Sequence, residues 1–302
     1  MKRCSLLIIL VIANLRILGQ GCSDAGFCTA GEFNNLPGSR STAIQYKNEI
    51  DIGFSYATHG DFEKFYQPQA GYRLINKNKS FLEFRLPFNY VKNTASGLSA
   101  AGIGDITATY NSKLNKWIDL AVGLRISISD ASKKARTATE SYPMYLQTGL
   151  GSTDLIAVAN YTPIKFISIG AGIQLPLLQY NNNRMLFPSL SGTGSIIVEG
   201  YRRKPDALLR LVGHFQAGKL KLNGTILAIF HLADDHYKSS AGKYFLLQSK
   251  GSTYNTVLDI SYATGKKTSL GFLVASPYKT RKNIPDGLAR TLVISPKLTL
   301  SF

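Results

Sequence analysis

Lys116-Trp117-Ile118-Asp119-Leu120-Ala121-Val122-Gly123-Leu124-Arg125-Ile126-Ser127-Ile128-Ser129-Asp130 decides the fold. In an extended chain Ile118, Leu120, Val122, Leu124, Ile126 and Ile128 fall on one face. Asp119, Ala121, Gly123, Arg125, Ser127 and Ser129 fall on the other. A strand separates alternate residues in this way, whereas a helix scatters them around its circumference.

The split recurs along the chain. Across 80–91, Leu82, Phe84, Leu86, Phe88 and Tyr90 oppose Glu83, Arg85 and Asn89. Across 219–232, Leu220, Leu222, Ile226, Ala228 and Phe230 oppose Lys221, Asn223, Thr225 and His231. Ile50, Ile52, Phe54 and Tyr56 oppose Glu49, Asp51 and Ser55. Further strands are predicted near 65–76, 102–113, 152–163, 165–178, 206–217, 251–264, 266–276 and 288–302, about twelve in all. No segment of 18 consecutive apolar residues follows the N-terminus, so no membrane-spanning helix is expected.

The connections discriminate further. Short links at 76–79, 114–116, 162–165, 216–219 and 264–267 alternate with longer ones at 58–64, 92–101, 131–151, 179–205, 233–250 and 276–287. Outer-membrane barrels have this asymmetry, with short periplasmic turns and long external loops; a soluble β-sandwich has no reason for it. The reading is therefore an all-β chain, a transmembrane antiparallel up-and-down β-barrel of about twelve strands over 44–302, placed in the bacterial outer membrane. The C-terminus agrees: Leu292, Ile294, Pro296, Leu298 and Leu300 line one face of a last strand that ends on Phe302. That ending resembles the assembly signal of bacterial outer-membrane barrels, which makes the barrel-assembly machinery an expected partner.

The first residues read as an export signal over 1–20. Lys2 and Arg3 supply the positive end, 6–13 is unbroken apolar sequence, and Gly19 and Gly21 offer cleavage positions; Arg16 leaves the cut site open. Residues 21–43 then form a periplasmic segment or a plug. Cys22 and Cys28 flank five residues that include Gly26, and in an oxidising compartment a disulfide closing this short loop is expected. Metal binding is the poorer reading, because two thiolates lack nearby partners for a tetrahedral site.

A formal charge of +17 raises the question of nucleic acid. The placement of the charge argues against it: Lys133, Lys134 and Arg136, then Arg202, Arg203 and Lys204, then Lys279, Arg281 and Lys282 fall in three external loops. There they face lipopolysaccharide phosphates, steer anionic solutes, or are simply solvated. Charges within strands sit mainly on the polar face: Asp51, Arg73, Glu83, Arg85, Asp105, Arg125, Asp154, Arg210, Lys221 and Asp259. Facing lipid at mid-bilayer, an Arg or Lys costs about 2–4 kcal/mol, so these residues are assigned to the lumen, in salt-bridged walls.

Gly102-Ile103-Gly104-Asp105-Ile106 and Gly149-Leu150-Gly151-Ser152-Thr153-Asp154-Leu155 each open a strand after a long loop, with the Asp expected inward at the rim. A phosphate-binding glycine loop would need a strand before it and a helix after it. These segments, the signal sequence and the Phe ending resemble the outer-membrane transporters grouped with the meta-pathway phenol-degradation family, distant relatives of the long-chain fatty-acid transporter. The Cys22–Cys28 segment is similar to that of the family's Bacteroidetes-type versions. The resemblance covers roughly 44–302 and implies uptake of small hydrophobic or aromatic compounds into the periplasm. The chain lacks the fatty-acid transporters' Asn-Pro-Ala hatch motif and has fewer predicted strands.

Three functions follow. The first is a channel or transporter for small solutes, with no enzymatic activity, cofactor, metal or nucleic-acid partner. The second is a structural or adhesive barrel whose loops 131–151 and 179–205, with Asn181-Asn182-Asn183 and Arg202–Lys204, bind a partner. The third is an outer-membrane hydrolase built on His59, His214, His231 or His236, none of which has a Ser in an evident nucleophile motif.

Overall fold

The computed structural model describes residues 48–76, 80–135, 138–188, 195–239, 242–286 and 290–302. The export signal, the 21–43 segment and Cys22–Cys28 lie outside the described residues.

Twelve antiparallel staves close into one barrel. In chain order the first are β1 (Asn48–His59), β2 (Glu63–Ile75) and β3 (Phe81–Asn93); the fourth stave is made of β4 (Ser99–Ile103) and β5 (Ile106–Lys113). Then come β6 (Ile118–Ile126), β7 (Ser152–Ile164) and β8 (Ile167–Gln179). After β9 (Arg184–Pro188) and β10 (Ser195–Arg202), the barrel resumes with β11 (Asp206–Ala217) and β12 (Leu220–His231). β13 (His236–Ser239) and β14 (Tyr244–Leu246) precede β15 (Gly251–Ala263), β16 (Thr268–Lys279) and β17 (Leu292–Ser301). β17 pairs with β1 from Glu49↔Ser301 to Thr58↔Leu292, so no stave is left as an open edge. Phe302 completes the closure by exchanging main-chain hydrogen bonds with Asn48, at 3.0 and 3.2 Å.

Staves of 12 or 13 residues are the rule. At ~3.3 Å per residue and a tilt near ~40°, each rises about 30 Å, the thickness of a hydrocarbon layer. The outward face is apolar around the circumference, with Ile52, Leu86, Val122, Leu211, Ile226 and Leu270 all exposed. At the end carrying the short turns, Trp117, Tyr161, Phe166, Phe215 and Tyr262 form an exposed aromatic girdle. Lys116 and Lys165 lie over Trp117 and Phe166, each 4.8 Å from the ring centroid, as interfacial anchors do. Both termini of the barrel lie at this end, which is the periplasmic one.

The expected alternation of loops needs one correction. β1–β2 and β3–β4 are joined by short external hairpins, because Gly60 (φ +56°) turns the first and Asn93 Oδ1 accepts the amides of Ala95 (3.0 Å) and Ser96 (2.9 Å) in the second. The four later external connections are long. Two of them supply a separate four-stranded sheet, β14-β13-β10-β9, outside the barrel. The strand expected over 102–113 is instead two: Gly104–Asp105 interrupts the wall partway along, so Asp105 does not sit at the rim. β6 ends at Ile126, and 127–151 leaves the wall as a long loop.

Candidate functional site

Residues of the 127–151 loop fold into the barrel. A 3-10 turn, Met144–Leu146, buries Leu146 completely against Ala57, Phe65, Val91, Val257, Ala275 and Val293, which come from six different staves. These apolar residues stand on the inward face, where the surrounding alternation would place polar ones; they form a socket for the loop tip. The loop's limbs are tied by amides. Gln147 Oε1 accepts from the Lys133 amide (3.1 Å) while its Nε2 donates to the Lys133 (3.0 Å) and Tyr142 (2.8 Å) carbonyls. Asn89 Nδ2 on β3 donates to the Thr148 carbonyl (2.7 Å). The external sheet caps this loop through Val198, Tyr201 and Tyr237, with Leu247 just after β14, packed on Ala131, Met144 and Leu150.

Below and beside the loop the interior carries two charged layers. In the periplasmic half, Arg73 donates to Glu49 (2.7 Å) and Glu83 (3.3 Å), and Asp51 lies 3.9 Å away. Arg85 pairs with Glu83 and stands 4.0 Å from Asp51, which also accepts from Thr299. In the outer half a chain of ion pairs runs across the barrel. Arg125 pairs with Asp154 and lies 3.8 Å from Asp105; Arg203 reaches Asp154 (3.2 Å), Asp206 (2.5 Å) and Asp286 (3.6 Å). Arg281 meets Asp286 at 3.0 Å. His231 is held between Asp206 (2.6 Å) and Asp235 (2.9 Å), and Tyr201 donates to Asp235 (2.7 Å).

Every charged residue assigned to the lumen from sequence is on the inward face. Asp51, Arg73, Glu83, Arg85, Arg125, Asp154 and Arg210 are buried, and Asp105, Lys221 and Asp259 are partly so. Arg210 donates to Asn160 Oδ1 through Nε (3.0 Å) and Nη2 (2.6 Å). Two of the basic loop runs are not solvated as a whole: Arg203 and Arg281 are buried in the outer network and Arg202 is half-buried, while Lys279 and Lys282 are exposed. The asparagine tract is also structural. Asn181 and Asn183 are buried and bond the Leu150, Ala131 and Tyr142 carbonyls, and only Asn182 is exposed. Sequence reasoning missed Arg203, Asp206, Asp235 and Asp286 as interior groups, and it missed the socket. Val91 and Val293, apolar residues on an otherwise polar face, were the available signal for the latter.

His214, without a Ser in an evident sequence motif, meets Ser168 in the fold. Asp259 accepts from Asn223 Nδ2 (3.3 Å); Asn223 Oδ1 then accepts from His214 Nδ1 (2.9 Å), leaving Nε2 to accept from Ser168 Oγ (2.7 Å). Thr162 Oγ1 extends the row at 2.9 Å. The row crosses five neighbouring staves; Ser168 is in regular register with Val212 of β11, whereas the β7–β8 register shifts opposite it, between Tyr161 and Ile164.

Between the loop and the β2–β3 wall lies a cavity of about 120 Å³. Met144, Gln147 and Thr148 roof it; Phe65, Val91 and Val293 give it an apolar side, and Arg85, Arg125 and Arg290, with Asp105 beside Arg125, a charged one of mainly cationic character. The adjacent wall is thin in hydrogen bonds. β2–β3 pairing skips from Tyr66↔Tyr90 to Gln69↔Pro87, because Pro68 and Pro87 have no amide hydrogen to give. Side chains bridge the gap, Gln67 Nε2 donating to Asn89 Oδ1 at 2.7 Å.

No protein-family model and no curated protein sequence matches this chain. Solved structures do. An outer membrane channel from Pseudomonas putida F1 aligns over 88% of this chain and 99% of its own, with TM-score 0.58 and 13% identity. A Pseudomonas aeruginosa FadL homologue (84% and 90%, TM-score 0.44, 10% identity) and the NanC porin (84% and 100%, TM-score 0.44, 10% identity) align more loosely. At such identities the likeness is one of fold: the chain is a closed twelve-stranded barrel of the bacterial outer membrane, with the fold of the Pseudomonas putida channel.

Proposed function

We propose that this barrel is a channel that passes small hydrophobic or aromatic solutes across the outer membrane into the periplasm, in the manner the meta-pathway phenol-degradation resemblance implies. The observation that carries the reading is the cavity under the inward-folded loop. It lies inside a wall whose lipid-facing side is mainly apolar, and it offers an apolar surface beside fixed charges, the usual composition of a small-molecule site. The loop narrows the passage, and the charged layers hold the wall rigid around it. Residues 1–20 as export signal, a Cys22–Cys28 disulfide, Phe302 as assembly signal, and lipopolysaccharide as the neighbour of the basic loops belong to the same reading.

The test is flux of phenol-sized solutes into proteoliposomes, with folding checked by the gel shift between unboiled and boiled protein. Uptake above protein-free vesicles is expected. A correctly folded barrel impermeable to every small solute tried would end the proposal.

A second reading, a hydrolase, gains one observation in Ser168–His214–Asn223, which has the donor order of a nucleophile, a base and an orienting group. The row continues beyond these three residues to Thr162 and Asp259 across five staves, so it is read as a structural ladder. A fluorophosphonate probe separates the two: covalent labelling lost in Ser168→Ala establishes the hydrolase, and unlabelled folded protein removes it.

A further inference from the structure

The arginines lining the cavity differ in one respect. Arg85 is engaged by Glu83 and Asp51, and Arg125 by Asp154 and Asp105. Arg290, just before β17, has no ion-pair or hydrogen-bond partner among the described residues. Its Nε is sealed from solvent with no acceptor, and its guanidinium lies over the Phe65 ring, 4.9 Å from the centroid. Stacking on an aromatic face orients the guanidinium plane and supplies part of the missing stabilisation, but it satisfies none of the in-plane N–H donors. Arg290 is half-buried, and a guanidinium partly withdrawn from water with no carboxylate beside it favours an arriving anion.

The space available limits that anion. In the measure by which an apolar cavity of about 150 Å³ accepts benzene, this one is about 120 Å³. It is the smaller of the two, so it limits the body to a single planar ring or something more compact. Phe65, Val91, Met144, Leu273 and Val293 give that body an apolar surround. A carboxylate matches the guanidinium fork better than a spherical ion does, because two parallel N–H···O bonds can form at once.

We propose that the cavity is a binding site for a small monocarboxylate with a compact apolar or aromatic body, benzoate-like in size, its carboxylate on Arg290 and its body against Phe65 and Val293. This rests on the channel reading and narrows it: the cargo held at the constriction is an organic monoanion. Arg290 sets specificity by charge, and the socket around Leu146 sets it by size.

The experiment is calorimetric titration of the folded, detergent-solubilised full chain with benzoate, with benzamide as the neutral isostere and with sodium chloride, on wild type and on Arg290→Gln. Benzoate binding is expected to exceed benzamide binding by about tenfold or more, and to weaken by a similar factor in the variant, the scale of one charge-assisted bidentate contact. Benzamide binding as well as benzoate, benzoate binding unchanged in Arg290→Gln, chloride displacing benzoate at equal concentration, or no benzoate binding at all each overturns the site. The wild-type comparison of benzoate with benzamide stands even where the variant fails to fold. Flux of a neutral solute such as glycerol through the same preparations keeps the two claims apart. Glycerol flux without benzoate preference removes the carboxylate site and leaves the channel; a folded barrel passing neither removes the channel.

Discussion

Replacing Leu146 by Ala tests whether the 127–151 loop is a constriction held by its apolar tip. Leu146 is fully buried in one cluster with side chains from six staves. Truncation of a buried leucine costs about 2–5 kcal/mol, more where the surroundings cannot collapse into the space. A closed barrel wall cannot collapse inward, so a value near 3 kcal/mol is a fair estimate for the loss of docking. At about 1.4 kcal/mol per factor of ten, the ratio of docked to undocked loop tip falls roughly a hundredfold. The amide ties of Gln147 and Asn89 stay in place, so the tip loosens while the limbs remain anchored. Because the strand ladders are untouched, the barrel still folds. Single-channel recording in planar bilayers should show a larger conductance level, or more time in it, in Leu146→Ala than in wild type, with gel migration confirming a folded barrel. Unchanged current amplitude and occupancy in folded protein would refute the constriction.

Other consequences are equally open to measurement. Asp154→Asn keeps the shape but leaves Arg125 and Arg203 facing a neutral amide; breaking a buried pair in this way costs about 3–5 kcal/mol, so the urea midpoint of the gel-shift transition should drop well below that of Glu140→Gln, a loop change outside the network. Asp235, outside the staves, is pushed up by burial, but hydrogen bonds from His231 and Tyr201 more than offset this and hold its carboxyl below the usual range. A lowered folded value gives stability that is present above the unfolded pKa of about 3.9 and lost as pH falls through the folded value. Protease cleavage in 232–250 should therefore rise below about pH 4, and His231→Gln should move that onset upward; cleavage indifferent to pH would contradict the clamp. At Gly123 an added Cβ would lie 2.7 Å from the Ala108 carbonyl oxygen, a backbone atom that cannot step aside. Gly123→Ala should lower the yield of folded barrel, where Ala121→Gly on the same face should not abolish it.

What was legible in the sequence followed from the two environments of a barrel wall. Ile118 to Ile128 alternate because lipid faces one side and the interior the other, so inward placement of Asp51, Arg125 or Arg210 needed no structure. The partner of each inward charge was not legible, because it lies on another stave or in a folded loop: Arg125 meets Asp154, and Arg203 meets Asp286, across chain separations that periodicity does not report. Arg203 and Arg281 read as loop charges for the same reason. The break at Gly104–Asp105 was hidden because both halves of that stave keep their alternation. Arg290 carried no signal of its own; its significance comes from Phe65 beneath it and from the carboxylates that its neighbours Arg85 and Arg125 have and it does not.

The central claim is that solute passes through the interior, and Ser55 gives direct access to it. Ser55 lines the cavity and is buried on the inward face of β1, while Ile52 is exposed on the outward face of the same strand. In a background with Cys4, Cys22 and Cys28 replaced by Ser, Ser55→Cys and Ile52→Cys are each treated with a bulky cationic methanethiosulfonate while current is recorded. The account predicts that modification at position 55 blocks current and that reductant restores it, with position 52 silent. Full modification at position 55 with current unchanged would contradict passage through this barrel.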